Sequence, residues 1–226
     1  MPPATEPVAE PAARVRLMTL LSPSFPVGAF AYSHGVERAV HDGLIGGRDD
    51  LVAWLGDLVT AGSGWNDAVL LRAAWGAGDA RERDDIASLA EALASSRERH
   101  LETMAQGSAF LAAARAFREA RDLRLEGEVA YPVAVGAVTR AMGLACAEVL
   151  AAYLNAFVGT LVQAALRTVP IGQSDAVAAL ARLEPVVLDA AARAEIATLD
   201  DLGSATVVSD LLAMTHETQQ SRLFRS

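Results

Sequence analysis

Val149-Leu150-Ala151-Ala152-Tyr153-Leu154-Asn155-Ala156-Phe157-Val158-Gly159-Thr160-Leu161-Val162-Gln163-Ala164-Ala165-Leu166 is a run without a single charge. Leu150, Tyr153, Leu154, Phe157 and Leu161 recur within it at the spacing of one helix face. The run is about long enough to test as a membrane span. Asn155, Gly159, Thr160 and Gln163 interrupt it, however, and Arg140, Glu148 and Arg167 stand close by. A buried core helix is therefore the better reading. The same periodicity returns at Leu101, Met104, Ser108 and Leu111, whereas two-residue alternation is nearly absent. The fold class that follows is all-α.

Working outward, start and stop signals divide the chain into about eight to ten helices. Asp49-Asp50 opens one that ends near Gly62 to Gly64, and Asn66-Asp67 opens another that stops around Gly76 to Gly78. Pro132 fits the first turn of a helix, while Gly172 and Pro185 are expected to interrupt the later ones. No repeat of fixed period appears, which argues against a solenoid. The organisation expected is a flexible N-terminal tail over residues 1 to 13, one compact helical domain over 14 to 214, and a C-terminal tail over 215 to 226.

Composition removes several functions. The chain has 226 residues, 52% of them hydrophobic and about a fifth alanine, so it can bury a large helical core. Its net charge is −9, and it has no basic run to meet phosphates, so nucleic acid is not an expected partner. All positive charge is arginine; there is no lysine. A Walker A lysine, a Schiff-base lysine and a carbamylated lysine ligand are thereby excluded. Cys146 is the lone cysteine, which rules out an intrachain disulfide or a Cys-x-x-Cys site and fits burial as a small apolar group. The N-terminus lacks the basic and apolar regions of a secretory signal, so a cytoplasmic location is expected and a membrane partner is not.

Few residues invite chemistry. His34, Glu37 and His41 fall at i, i+3 and i+7, a face from which a first-row metal could draw donors, but an ordinary polar face has the same spacing. The turn at Phe25-Pro26-Val27-Gly28 leads into Tyr32, Ser33 and His34, which can be read as a helix cap with a packed tyrosine or as a binding segment. Ser, His and Asp are all present, but no Gly-x-Ser-x-Gly elbow supports a hydrolase. Arg97, Glu98, Arg99, His100 and Glu102 form a charged stretch that reads as a solvated helix face or a contact surface. No metal site, cofactor or catalytic residue is assigned.

The last thirteen residues, Met214 to Ser226, are dense, polar and specific, holding one of four histidines, two arginines and a Leu-Phe pair. Such a tail suits docking on a partner, with Leu223 and Phe224 in apolar pockets and Arg222 and Arg225 forked onto acids. A frayed end, or a tail folded back on its own helices, is the alternative. His216-Glu217-Thr218-Gln219-Gln220-Ser221-Arg222-Leu223-Phe224-Arg225-Ser226 resembles the C-terminus of the UreF family of urease accessory proteins, with Gln220 where that family has tyrosine. Ser22 to Glu37 is similar to the family's opening segment. Tyr131-Pro132-Val133-Ala134-Val135-Gly136, Val169-Pro170-Ile171-Gly172-Gln173-Ser174-Asp175 and Asp201-Leu202-Gly203-Ser204-Ala205 are similar to further landmarks, in the same order.

The resemblance implies an all-helical single domain that dimerises, binds the accessory protein UreD (also called UreH) and recruits the GTPase UreG to apo-urease for nickel insertion. It implies a scaffold without enzymatic activity. The partner-binding residues expected are His216, Glu217, Gln219, Ser221, Arg222, Leu223, Phe224 and Arg225 in the tail, with Tyr32, Ser33, His34 and Glu37 in the opening segment. Two other roles remain open: regulation of the partner's GTP hydrolysis by an arginine supplied in trans, and direct nickel carriage.

Overall fold

A computed structural model describes residues 10–125 and 127–225. Ten α-helices run through them: α1 (Glu10–Leu20), α2 (Val36–His41), α3 (Arg48–Ala61), α4 (Ser63–Gly76), α5 (Ala80–Ala92), α6 (Arg97–Ala114), α7 (Tyr131–Ala141), α8 (Cys146–Thr168), α9 (Gln173–Ile196) and α10 (Val207–His216). There is no strand among the described residues. The all-α expectation is met.

The uncharged run is the hub. Val149, Leu150, Tyr153, Leu154, Val158, Leu161 and Val162 of α8 are buried, and the helix touches α1, α2, α3, α4, α7 and α9. Alone among the described helices it is long and apolar enough to cross a membrane, but its apolar face is spent on this core. Cys146 is buried at its start, and burial pushes the thiol up to about 11. Asp79 caps α5 by accepting from the amide of Glu82, and Ser96 caps α6 through that of Arg99.

Close helix approach relies on two glycines. A Cβ at Gly136 of α7 would strike the carbonyl of Leu71 in α4, and one at Gly107 of α6 would strike that of Val129. Hence α7 packs closely on both α4 and α6.

Four expectations change. The first helix starts at Glu10, inside the expected 1 to 13 tail; an acid and Pro11 suit a first turn. Residues 1 to 9 lie outside the described residues. Helix α4 begins at Ser63, so Asn66 and Asp67 are within it rather than at its start, and Asn66 caps the distant amide of Gly203 instead. Gly172 does separate α8 from α9, but Pro185 does not interrupt α9. It sits on the solvent side, where water can take the carbonyl it frees, while Leu183 and Val187 stay buried beside it. Finally, the tail from 215 is not separate, because α10 runs across that boundary and the chain then folds back on the domain.

Candidate functional site

The segment around His34 and the returning tail from His216 meet on α6. The opening segment turns twice through left-handed backbone, at Gly28 (φ 76°) and Gly35 (φ 78°). His34 (φ 51°) is the one other residue with positive φ among those described that is not glycine. Such a conformation costs a histidine about 1 kcal/mol and needs external support. Support comes from Glu102, whose Oε1 is 2.7 Å from His34 Nε2, from Ser63 at Nδ1, and from the edge of Phe157. Gly35 lets α10 pass: a Cβ there would lie 3.4 Å from Ala213 N and Ser209 O.

His34 therefore precedes α2 instead of belonging to it, and the three residues that might have shared a metal-binding face diverge. His34 points to Glu102, Glu37 points to His216, and His41 is exposed. Among the described residues no group of three or more His, Cys, Asp or Glu side chains is arranged to hold a metal ion.

Around His34 lies a buried ionic network. Arg99 donates to Glu102 at 2.7 Å and stands 3.8 Å from Asp67, while Tyr153 donates to Asp67 at 3.0 Å and Gln106 to Glu102 at 3.0 Å. Burial alone would raise the Glu102 carboxyl, but His34 and Arg99 together outweigh it and hold the group down at about 2. For Asp67 burial prevails over Arg99, and its carboxyl is raised. This network borders a cavity of about 1210 Å³, whose apolar walls include Leu17, Met18, Phe30, Phe157 and Phe224.

A second network seats the tail. His216 is fully buried, with Nδ1 2.8 Å from Glu98 Oε2 and Nε2 3.0 Å from Glu37 Oε2. Arg222 donates to the other oxygen of Glu98 at 2.6 Å. The amides of Leu223 and Phe224 donate to Glu37 at 2.7 and 3.1 Å, and that of Arg225 to the carbonyl of Ala31 at 2.7 Å. Phe224 is buried beneath the Arg167 guanidinium, which lies 4.6 Å from its ring centroid. At the rim, Glu217 accepts from the amide of Arg97 at the start of α6. Gln219 donates to the carbonyl of Ser221.

The expected partner-binding set is thus split. Tyr32, Ser33, His34, Glu37, His216 and Phe224 are buried within this chain. The buried carboxylates of Glu37 and Glu98 are met by the His216 ring, the Arg222 guanidinium and the amides of Leu223 and Phe224, which draws the tail inward, while His34 is held by Glu102. Gln219 is half-buried, whereas Glu217, Ser221, Arg222, Leu223 and Arg225 remain at the surface.

The residues missed were Glu98, Arg99 and Glu102. They read as a solvated face or contact surface, but Glu98 and Glu102 are buried while Leu101 is 55% exposed. The available signal was that Glu98, Glu102 and Gln106 share one helix face with Phe110. Their spacing marks a face; burial needs knowledge of what covers it.

Fold and site define an all-α protein whose polar motifs bind its two ends together while a separate apolar surface stays uncovered. A family profile for UreF matches residues 45–184. The chain is 56% identical over 215 residues to the urease accessory protein UreF of Mesorhizobium japonicum, covering 95% of this chain and 96% of that protein. It is also 56% identical to UreF 1 of Brucella canis and 55% to UreF of Brucella ovis, each over 95% of this chain and 94% of the relative. This chain belongs to the UreF family of urease accessory proteins.

Proposed function

We propose that the chain is a non-enzymatic scaffold of urease maturation that works in the cytoplasm as a homodimer. It binds UreD (UreH), recruits the GTPase UreG and supports nickel insertion into apo-urease. The observation that carries this reading is the outer face of α10. That helix buries only Ser209, Ala213 and His216, and turns Val207, Val208, Leu211 and Met214 to solvent at 45 to 61% exposure. An ordinary amphipathic helix does the reverse. Leu223, 58% exposed, follows from the seated tail, and an uncovered apolar surface of this kind is what a protein partner buries.

A second apolar surface serves self-association. Val15 and Met18 of α1 and Phe30 are 62 to 76% exposed. Met18 and Phe30 border the cavity whose other side is the uncharged helix α8, so one surface offers both protruding groups and a recess. A twofold contact needs this self-complementarity.

The test is capture of the cognate UreD by the full-length chain and by Leu211→Glu with Met214→Glu, with circular dichroism on both. The reading expects capture lost while helicity persists. Equal capture by both would remove α10 from the contact. Truncation at Thr215 is the poorer experiment, because it takes His216 and Arg222 from Glu37 and Glu98 and disturbs the domain itself.

A further inference from the structure

The tail's seat holds a donor count that a neutral histidine cannot meet. His216 is 0% exposed, so no solvent shares its ring, and each ring nitrogen faces a carboxylate oxygen. A carboxylate only accepts, and a neutral imidazole carries one N–H and one bare lone pair. With both nitrogens so placed, the two hydrogen bonds exist together only when the pocket holds one proton more than a neutral ring and two carboxylates.

We propose that the C-terminal tail is a proton-dependent latch, seated when His216 donates from both nitrogens to Glu37 and Glu98 and loosened when the second proton leaves. The surrounding groups set the balance. Glu37 comes from α2 and Glu98 from α6, both buried; on the tail side Arg222 faces Glu98, so the pocket sums to −1 with a neutral ring and to zero with the cation. On α10, Asp210 is tied to Ser204, away from the pocket. Glu217 accepts at the start of α6, and Arg167 of α8 covers Phe224. Arg99, Glu102 and His34 form the adjoining network.

The sign follows directly. With the ring doubly protonated both carboxylates are satisfied and the tail is held. Once one ring proton is removed, a lone pair is left against a carboxylate oxygen about 3 Å away, in a site closed to bulk solvent, and the two repel. Glu37 also holds the amides of Leu223 and Phe224, so its displacement reaches the end of the chain.

The experiment is a pH titration of the full-length, 15N-labelled chain from about pH 5 to pH 9 by nuclear magnetic resonance. It follows the His216 ring nitrogens and the amides of Leu223 and Phe224. The expected result is a ring that carries two N–H groups at the acid end. Loss of one should coincide with loss of the carboxylate-bonded amide shifts. Exchange of both amides should then accelerate about ten- to a hundredfold beyond the intrinsic effect of pH. His216→Gln should give a tail whose protection no longer changes with pH, whereas His41→Gln, on the exposed face, should keep the transition. A ring that titrates while the tail amides stay unmoved overturns the latch. So does a tail fully seated around a ring with one N–H throughout. Both readings come from the unaltered chain, so they stand even where His216→Gln fails to fold.

Discussion

Glu102 and Asp67 lie in one buried network and respond to acid in opposite directions. Glu102 is held at about 2 in the fold, below its ordinary value of 4.5, so its contribution is present above the unfolded value and lost as pH falls toward 2. Asp67 is raised, so its charge costs stability at neutral pH and protonation relieves that cost as the solution becomes mildly acid. Glu102→Gln should therefore destabilise the chain at neutral pH by about 2 to 4 kcal/mol, since the buried Arg99 loses its counter-charge. Urea unfolding at several pH values should also show a shallower loss of stability below about pH 4 in this variant. Asp67→Asn should keep the bond from Tyr153 and cost much less at pH 7. An equal loss in both variants would show that Asp67 is held charged by Arg99 as firmly as Glu102 is.

At the scale of the helix, legibility in the sequence depended on which side chains were buried. Helix α8 was plain because its buried face is apolar, and Leu150, Tyr153, Leu154 and Leu161 are all inside. Helix α3 was plain because Asp49 and Asp50 fill its first turn and Gly62 follows its end. Helix α6 was not. Its inward face mixes Glu98, Glu102, Thr103 and Gln106 with Met104 and Phe110, so the apolar-in reading at Leu101, Met104, Ser108 and Leu111 holds only in part: Met104 is buried and Leu111 packs on the core, but Leu101 is exposed. The tail was legible as specific but not as intramolecular, since Glu37 lies 179 residues from His216 and no local pattern joins them. Two predictions belong to this scale. Pro185→Ala should stabilise the chain by about 1 to 3 kcal/mol, because α9 continues through that exposed position and alanine restores the missing amide. Gly136→Ala should destabilise it by at least about 1 to 3 kcal/mol, because Leu71 O occupies the space of the added methyl. Thermal unfolding of the purified variants checks both, and a Gly136→Ala protein as stable as its parent would mean that α4 and α7 can move apart.

For the molecule as a whole, the apolar surface formed by Val15, Met18 and Phe30 should govern association. Met18→Glu with Phe30→Glu should give a monomeric mass by light scattering at micromolar concentration while helicity is kept, because both side chains point outward and are not needed by the core. An unchanged dimeric mass would place the contact on another surface. The α10 variants should leave that mass untouched, since their exposed residues belong to a different helix.

The seat on α6 also sets an order of events during synthesis. Glu37 leaves the ribosome 179 residues ahead of the imidazole that meets its carboxylate, and the amides of Leu223 and Phe224 follow later still. Until residues 216 to 224 have emerged, Glu37 and Glu98 have no lasting place in a dry interior, and α2 and the start of α6 should remain provisional. A chain cut before His216 is then unfinished at its opening segment as well as at the cut, and quality-control proteases would meet it in that state.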